Sequence, residues 1–295
     1  MRRILLALVG ALLAFMTSIV FSTTSPQRID ELYVFGDSLS DMGRVFQATG
    51  GIYPPNPTYF QGRYSNGRVW VEYLASQLHL SSSQIHNFAC GGATTTSSSN
   101  SVVLGLLVQV QSLTKTHQQQ NSKALYVLWA GANDYLQGVS NATAPVENLT
   151  QALAKLNEVI ASLVDVGAKN ILVANLPDLG QLPATRKGTN SASLSALTGV
   201  HNQRLRQALK VVAQQHTSLE IVTLDANTLY QDAMTNPVKF GFTNVSDACL
   251  SNGHSCGNPD QSLFWDGIHP TTAAHRILGE SAFKALAAER LTALR

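Results

Sequence analysis

Two short segments near opposite ends of the chain carry residue types suited to acyl-transfer chemistry. Gly36-Asp37-Ser38-Leu39-Ser40-Asp41 follows the apolar run Leu32-Tyr33-Val34-Phe35, and Asp266-Gly267-Ile268-His269-Pro270 lies 26 residues before the end. A serine hydroxyl is a weak nucleophile and needs a base to take its proton. The turn after a buried strand presents Ser38 to a substrate, and a glycine there lets the chain turn sharply. Taken alone, Ser38, Ser40 and Asp41 read equally well as helix-capping residues. Asp37 and Asp41 are expected to shape the turn and cap the following helix. His269 differs from the other seven histidines, which are expected at the surface or in packing. It has a carboxylate three residues before it and a proline directly after. A spacing of three in a turn puts Asp266 and His269 on one side. Asp266 can then accept from one imidazole nitrogen and leave the other facing Ser38.

Acyl transfer also needs donors for the developing oxyanion. Asn87-Phe88-Ala89-Cys90-Gly91-Gly92 offers a glycine N–H that can approach a ligand closely. Gly131-Ala132-Asn133-Asp134 offers a side-chain amide at the end of the apolar run Leu125–Ala130. The chosen donors are Gly92 and Asn133 together with the Ser38 N–H, although Gly91 is equally placed by sequence. All four segments sit at the ends of expected strands or in loops, where sites of open α/β sheets gather.

The four segments resemble the four blocks of the GDSL, or SGNH, hydrolases, whose signature residues fall here on Ser38, Gly92, Asn133 and His269, with Asp266 as the acid. Gln61–Trp70, Trp129–Tyr135, Asn175-Leu176-Pro177-Asp178-Leu179-Gly180 and Phe264-Trp265-Asp266 are similar to segments of one branch. That branch includes glycerophospholipid–cholesterol acyltransferases and bacterial lysophospholipases A. The resemblance implies a serine ester hydrolase without a cofactor or metal. It would act on a lysophospholipid or phospholipid at a membrane surface, with a sterol or other alcohol as a conceivable acyl acceptor.

The elements that must position these residues follow from apolar patterning. Short apolar runs at 31–35, 85–89, 124–130, 170–175 and 219–224 predict strands. Helical stretches are expected near 68–78, 102–117, 146–166, 191–215 and 271–289. Strands alternating with helices predict a single-domain, three-layer α/β/α sandwich on a mainly parallel five-stranded sheet. Met1-Arg2-Arg3, the apolar run Ile4–Phe21 and the polar Ser22–Pro26 have the layout of a secretory signal peptide, expected over residues 1–24 and followed by one hydrolase domain over 25–295. An uncleaved N-terminal anchor is the alternative. The expected location is secreted, periplasmic or cell-surface.

Twenty basic residues against 18 acidic ones leave no basic surface for nucleic acid. No GxxxxGK[ST] run is present, so a P-loop is excluded. Cys249 and Cys256 bracket a short polar loop and are expected to form a disulfide in an exported chain. A zinc site using Cys249, His254 and Cys256 lacks a fourth ligand. Cys90 is expected as a buried thiol. Three prolines and three aromatic residues in Gly50–Phe60 read either as a rigid surface loop or as an apolar lip for an acyl chain. The competing functions are a carbohydrate or aryl acetylesterase, a non-catalytic binding module, and a metal-dependent phosphoesterase built on Asp37, Asp41 and Asp134.

Overall fold

The computed structural model describes residues 28–96, 102–116, 121–137 and 144–292 of the 295-residue chain. The expected leader, residues 1–24, lies outside them. Five strands form one sheet: β1 (Glu31–Gly36), β2 (Ile85–Asn87), β3 (Ala124–Trp129), β4 (Asn170–Ala174) and β5 (Glu220–Leu224). Their order is β2-β1-β3-β4-β5 and every pairing is parallel. All residues of β3 and β4 are buried, as is β1 after Glu31. Continuous apolar runs of this kind are what a parallel sheet covered on both faces requires.

Among the described residues eight α-helices accompany the sheet: α1 (Arg44–Ala48), α2 (Trp70–Gln77), α3 (Leu106–Thr116), α4 (Ala132–Leu136), α5 (Ala144–Asp165), α6 (Ser191–Gln215), α7 (Ala226–Thr235) and α8 (Thr272–Thr292). Helices α2 and α8 pack together as one layer, and α3, α5 and α6 form the other. Trp70, Trp129, Tyr126 and Phe35 are the largest of the fully buried side chains.

The five expected strands are present, with β2 ending at Asn87, two residues early. Beyond it the backbone still follows β1, since Phe88 N–H bonds Val34 C=O and Cys90 N–H bonds Gly36 C=O. Helix α1 was expected only as the helix that Asp41 would cap, and α4 and α7 were not expected. Nor was the hairpin of β6 (Leu250–Ser251) and β7 (His254–Ser255). That hairpin is closed by the Cys249–Cys256 disulfide, while Cys90 remains a buried thiol.

The sheet order reverses between β1 and β3. In open parallel sheets the crevice beyond the carboxyl ends at such a reversal is where ligands bind. Residues 37–41 leave β1 there, and residues 130–134 leave β3 beside them.

Candidate active site

Strand β1 comes unusually close to β3 at its end. A Cβ on Gly36 would stand 2.2 Å from the Trp129 carbonyl oxygen, so only glycine fits. The buried Gln109 of α3 then clamps both polar groups of Gly36: it accepts from the N–H and donates to the C=O, each at 2.9 Å. The chain turns at once. Asp37 accepts the Leu39 N–H at 3.0 Å through its side chain and the Ser40 N–H through its carbonyl, which leaves Ser38 at the apex. Trp70 secures the far side by donating from its indole to Ser40 Oγ at 3.0 Å.

His269 arrives from the other end of the sequence. Phe264 and Pro270 pair across a tight antiparallel turn, and Trp265 N–H bonds the His269 carbonyl. Ser65 Oγ donates to the Pro270 carbonyl, and Asn66 accepts the Thr272 N–H. The segment 61–70 thus anchors the histidine turn.

These scaffolds complete a chain of three side chains. The imidazole Nε2 lies 2.8 Å from Ser38 Oγ, and Nδ1 lies 2.7 Å from Asp266 Oδ2. Asp266 Oδ1 accepts the backbone N–H groups of Ile268 and His269 at 2.9 and 2.8 Å. Burial alone would raise the Asp266 carboxyl. The His269 imidazole and these N–H groups outweigh it and hold the group down at about 2. A hydroxyl, an imidazole and an ionised carboxylate so arranged can transfer the serine proton as the oxygen attacks.

The second and third segments form one unit. Asn133 donates its side-chain amide to Ala93 C=O at 2.9 Å, Asp134 accepts from Thr95 Oγ1 at 2.6 Å, and Gln137 donates to Gly92 C=O. The two adjacent glycines separate cleanly. Gly91 donates its N–H to Asp41 Oδ2 at 2.8 Å, and a Cβ there would collide with the Tyr64 hydroxyl at 2.2 Å. Gly92 has φ +81°, and its N–H meets no acceptor among the described residues; neither does the Ser38 N–H. Asp41 caps α1 as expected, receiving the N–H groups of Gly43, Arg44 and Val45. Its link to Gly91 was not expected.

Ser38, Asn133 and His269 open onto one groove. Its other walls are Asp37, Leu39, Ala132, Leu136, Pro177, Leu179, Leu182, Tyr230 and Ile268. Pro177 and Leu179 come from the segment 175–180. The Gly50–Phe60 stretch does not line this groove. Tyr59 instead donates its hydroxyl to Asp266 Oδ2 at 2.7 Å, and the Tyr64 ring lies 5.2 Å from that of His269. No short-range signal in the sequence marks Tyr59, Tyr64 or Gln109. The glycine clamped by Gln109 and the serine it precedes are legible, but their partners are 73 residues or more away. Cys90 is packed below the site and donates to the Val102 carbonyl; burial pushes its thiol up, which disfavours a nucleophilic thiolate. No three His, Cys, Asp or Glu side chains are grouped to hold a metal ion among the described residues, and no helix there is long and apolar enough to cross a membrane.

Comparison with known proteins gives a consistent picture. A phosphatidylcholine-sterol acyltransferase of Aeromonas hydrophila is 28% identical over 92% of this chain and 94% of its own length. The secreted effector protein SseJ of Salmonella typhimurium is 31% identical over 84% of this chain, which spans 61% of that protein. Among solved structures, the α/β hydrolase LAE5 from the metagenome of Lake Arreo, Spain, shares the fold with a TM-score of 0.53 at 17% identity, covering 88% of this chain and 96% of that one. Residues 32–282 match the GDSL-like lipase/acylhydrolase family. With that match running from the strand before Ser38 to the helix after His269, the chain belongs to this family and is one of its ester hydrolases.

Proposed function

We propose that this chain is an exported lipid-ester hydrolase of the lysophospholipase or phospholipase A type, with Ser38 as nucleophile, His269 as base and Asp266 as its orienting acid. The observation that carries the reading is the unbroken line of hydrogen bonds from Asp266 through His269 to Ser38, opening onto a groove whose walls are mostly aliphatic. As Ser38 Oγ attacks the ester carbonyl, His269 Nε2 takes its proton and the imidazolium is balanced by Asp266. The Ser38 N–H, the Gly92 N–H and the Asn133 amide receive the oxyanion. The imidazolium then protonates the departing alcohol. Water, activated by the same base, releases the fatty acid; an acceptor alcohol in its place would yield a new ester.

The groove supports an acyl chain because Leu39, Leu136, Leu179, Leu182 and Ile268 offer no hydrogen bond that a sugar would need. Tyr230 lines this groove and also a second, apolar pocket with Leu229, Ala233, Phe242, Leu263, Ala274, Ile277 and Leu278. A ring common to both pockets is suited to limit how far an acyl chain extends. Residues 1–24 act as the export signal and 25–295 as the hydrolase domain. The acyltransferase relative supports a lipid ester as substrate and a sterol as acceptor.

The test is a turnover panel of lysophosphatidylcholine, phosphatidylcholine and p-nitrophenyl esters from acetate to palmitate, with and without cholesterol, on wild type and Ser38→Ala. Turnover of the lysophospholipid and of medium or long esters is expected, together with loss of at least ~10⁴ in kcat for Ser38→Ala. A wild type confined to acetyl esters would reject the lipid reading in favour of an acetylesterase. An active, folded Ser38→Ala protein would reject the nucleophile.

A further inference from the structure

We propose that Tyr59 is a positioning residue for Asp266, setting both the orientation of the carboxylate and the basicity it confers on His269. The proposal rests on the Ser38–His269–Asp266 reading above. Tyr59 Oη donates to Asp266 Oδ2 at 2.7 Å, the same oxygen that faces His269 Nδ1 at 2.7 Å. Oδ1 is already occupied by two backbone N–H groups. The carboxylate therefore accepts four hydrogen bonds, two at each oxygen, and rotation about its Cβ–Cγ bond would break all of them. Of the four, the Tyr59 bond alone comes from outside the turn 264–270 and from neither His269 nor its neighbour.

Tyr59 is suited to donate. Burial, followed by the charge and hydrogen bond of Asp266, pushes its phenol further above the ordinary range, so the proton stays on the tyrosine. Its ring is held edge-on between Trp265 and Tyr64, with centroids 6.5 and 6.4 Å away, and its N–H bonds the Pro55 carbonyl. Arg63, at the end of the same loop, pairs with Glu72 of α2 at 2.9 Å. The loop thus presents the hydroxyl from a fixed base.

The sign of the electronic effect follows from the shared oxygen. A second donor on Oδ2 draws negative charge away from the imidazole. Removing it returns that charge to His269 Nδ1–H and favours the imidazolium, so the free enzyme needs a higher pH to hold His269 neutral. The other titratable groups facing His269 are Asp37 from the serine turn, Tyr64 from the segment 61–70 and His275 from α8. Tyr64 packs against the Tyr59 ring, a contact that Tyr59→Phe keeps.

The experiment compares Tyr59→Phe and Tyr59→Leu with wild type on one soluble p-nitrophenyl ester over pH 5–9, and follows the rate of Ser38 labelling by a small fluorophosphonate. Tyr59→Phe keeps the ring between Trp265 and Tyr64 and loses only the hydroxyl. Expected is a fall of about 10- to 150-fold in kcat and in labelling rate, as for a hydrogen bond to a charged group, with KM within twofold. The acid limb of kcat/KM should move to higher pH. Wild-type kcat and an unmoved acid limb in Tyr59→Phe would overturn the proposal, leaving ring packing as the role if Tyr59→Leu alone is impaired. A rise in KM with unchanged kcat would overturn it too, by placing Tyr59 against substrate. Failure of the underlying reading is seen separately, as activity in Ser38→Ala.

Discussion

Replacing Asp41 with asparagine should separate the stability of the site from its catalytic geometry. Asp41 Oδ1 accepts from Gly43 and Arg44, and Oδ2 accepts from Gly91 at 2.8 Å and Val45 at 3.4 Å. Asparagine keeps one oxygen for the start of α1. Its amide nitrogen then faces the Gly91 N–H, donor against donor. A charge-assisted bond contributes about 1.5–3 kcal/mol, and a buried N–H left unpaired costs roughly 1–3 kcal/mol. Relief of burying a charge offsets part of this, since burial pushes the Asp41 carboxyl up against the pull of the four N–H groups. A net loss of about 2–3 kcal/mol corresponds to a fall in Tm of roughly 4–12 °C for a domain of this size. Gly92 is the next residue, so its N–H should shift with Gly91. A displacement of about 1 Å at a reacting centre can cost on the order of 10²-fold, and kcat should fall about 10- to 100-fold while KM changes less. Thermal melts and initial rates on a short p-nitrophenyl ester, measured well below the variant's Tm, read both quantities. A lowered Tm with wild-type kcat would refute the idea that Asp41 holds Gly92 in register. An unchanged Tm would refute the hydrogen-bond accounting itself.

Other substitutions test other parts of the molecule. Asn133→Ala should lower kcat by roughly 10²–10³ with a smaller change in KM; a change in KM alone would make Asn133 a ground-state or structural residue. Asp37 is buried beside Ser38, and burial pushes its carboxyl up to about 7 against the pull of the Leu39 N–H and His269. Because its folded pKa is raised, the associated stability is present below about pH 4 and is lost as pH rises towards 7. Asp37→Asn should therefore gain stability over wild type increasingly between pH 5 and 8, by an amount on the order of 2–4 kcal/mol at the alkaline end, and a pH-independent difference in melts would contradict this. Tyr230→Ala should raise the ratio of kcat/KM for long over short acyl chains by joining the two apolar pockets, with an optimum moved to longer esters; a uniform loss across the series would place the chain elsewhere. Reduction of Cys249–Cys256 should lower stability by about 2–3 kcal/mol, as for closure of so short a loop. Non-reducing peptide mapping before and after reduction, paired with melts, checks that figure.

The strands were legible because each is a short, uninterrupted apolar run buried on both faces. Helix α7 was not, although Asp225 stands at its start and accepts the Thr228 N–H. It follows β5 with only Asp225 between, so no loop separates its pattern from that of the strand. Helices α1 and α4 have five residues each, too few to express a period. In the site, sequence singled out Ser38, Asp266, His269 and Asn133 by type and local spacing; Ser38, Asn133 and His269 line one groove, with Asp266 bonded to the outer nitrogen of His269. Sequence chose Gly92 over Gly91 without a local reason, because the difference lies in what their N–H groups meet across space. The role of Tyr59 depends on a residue 207 positions away. The aromatic stretch around it suggested contact with an acyl chain, whereas its hydroxyl is bonded to Asp266 and the groove walls come from other segments.

Ser38 and His269 are 231 residues apart, and the histidine turn belongs to the segment that follows the last strand of the sheet. The pair is therefore the most non-local contact of the site, and closing so long a loop is entropically the costliest step of its assembly. A chain emerging amino-terminus first presents its serine long before it presents a base. The proposed nucleophile and base cannot meet until the segment after β5 has docked, so the fold holds the site unassembled even when every strand of the sheet has been made.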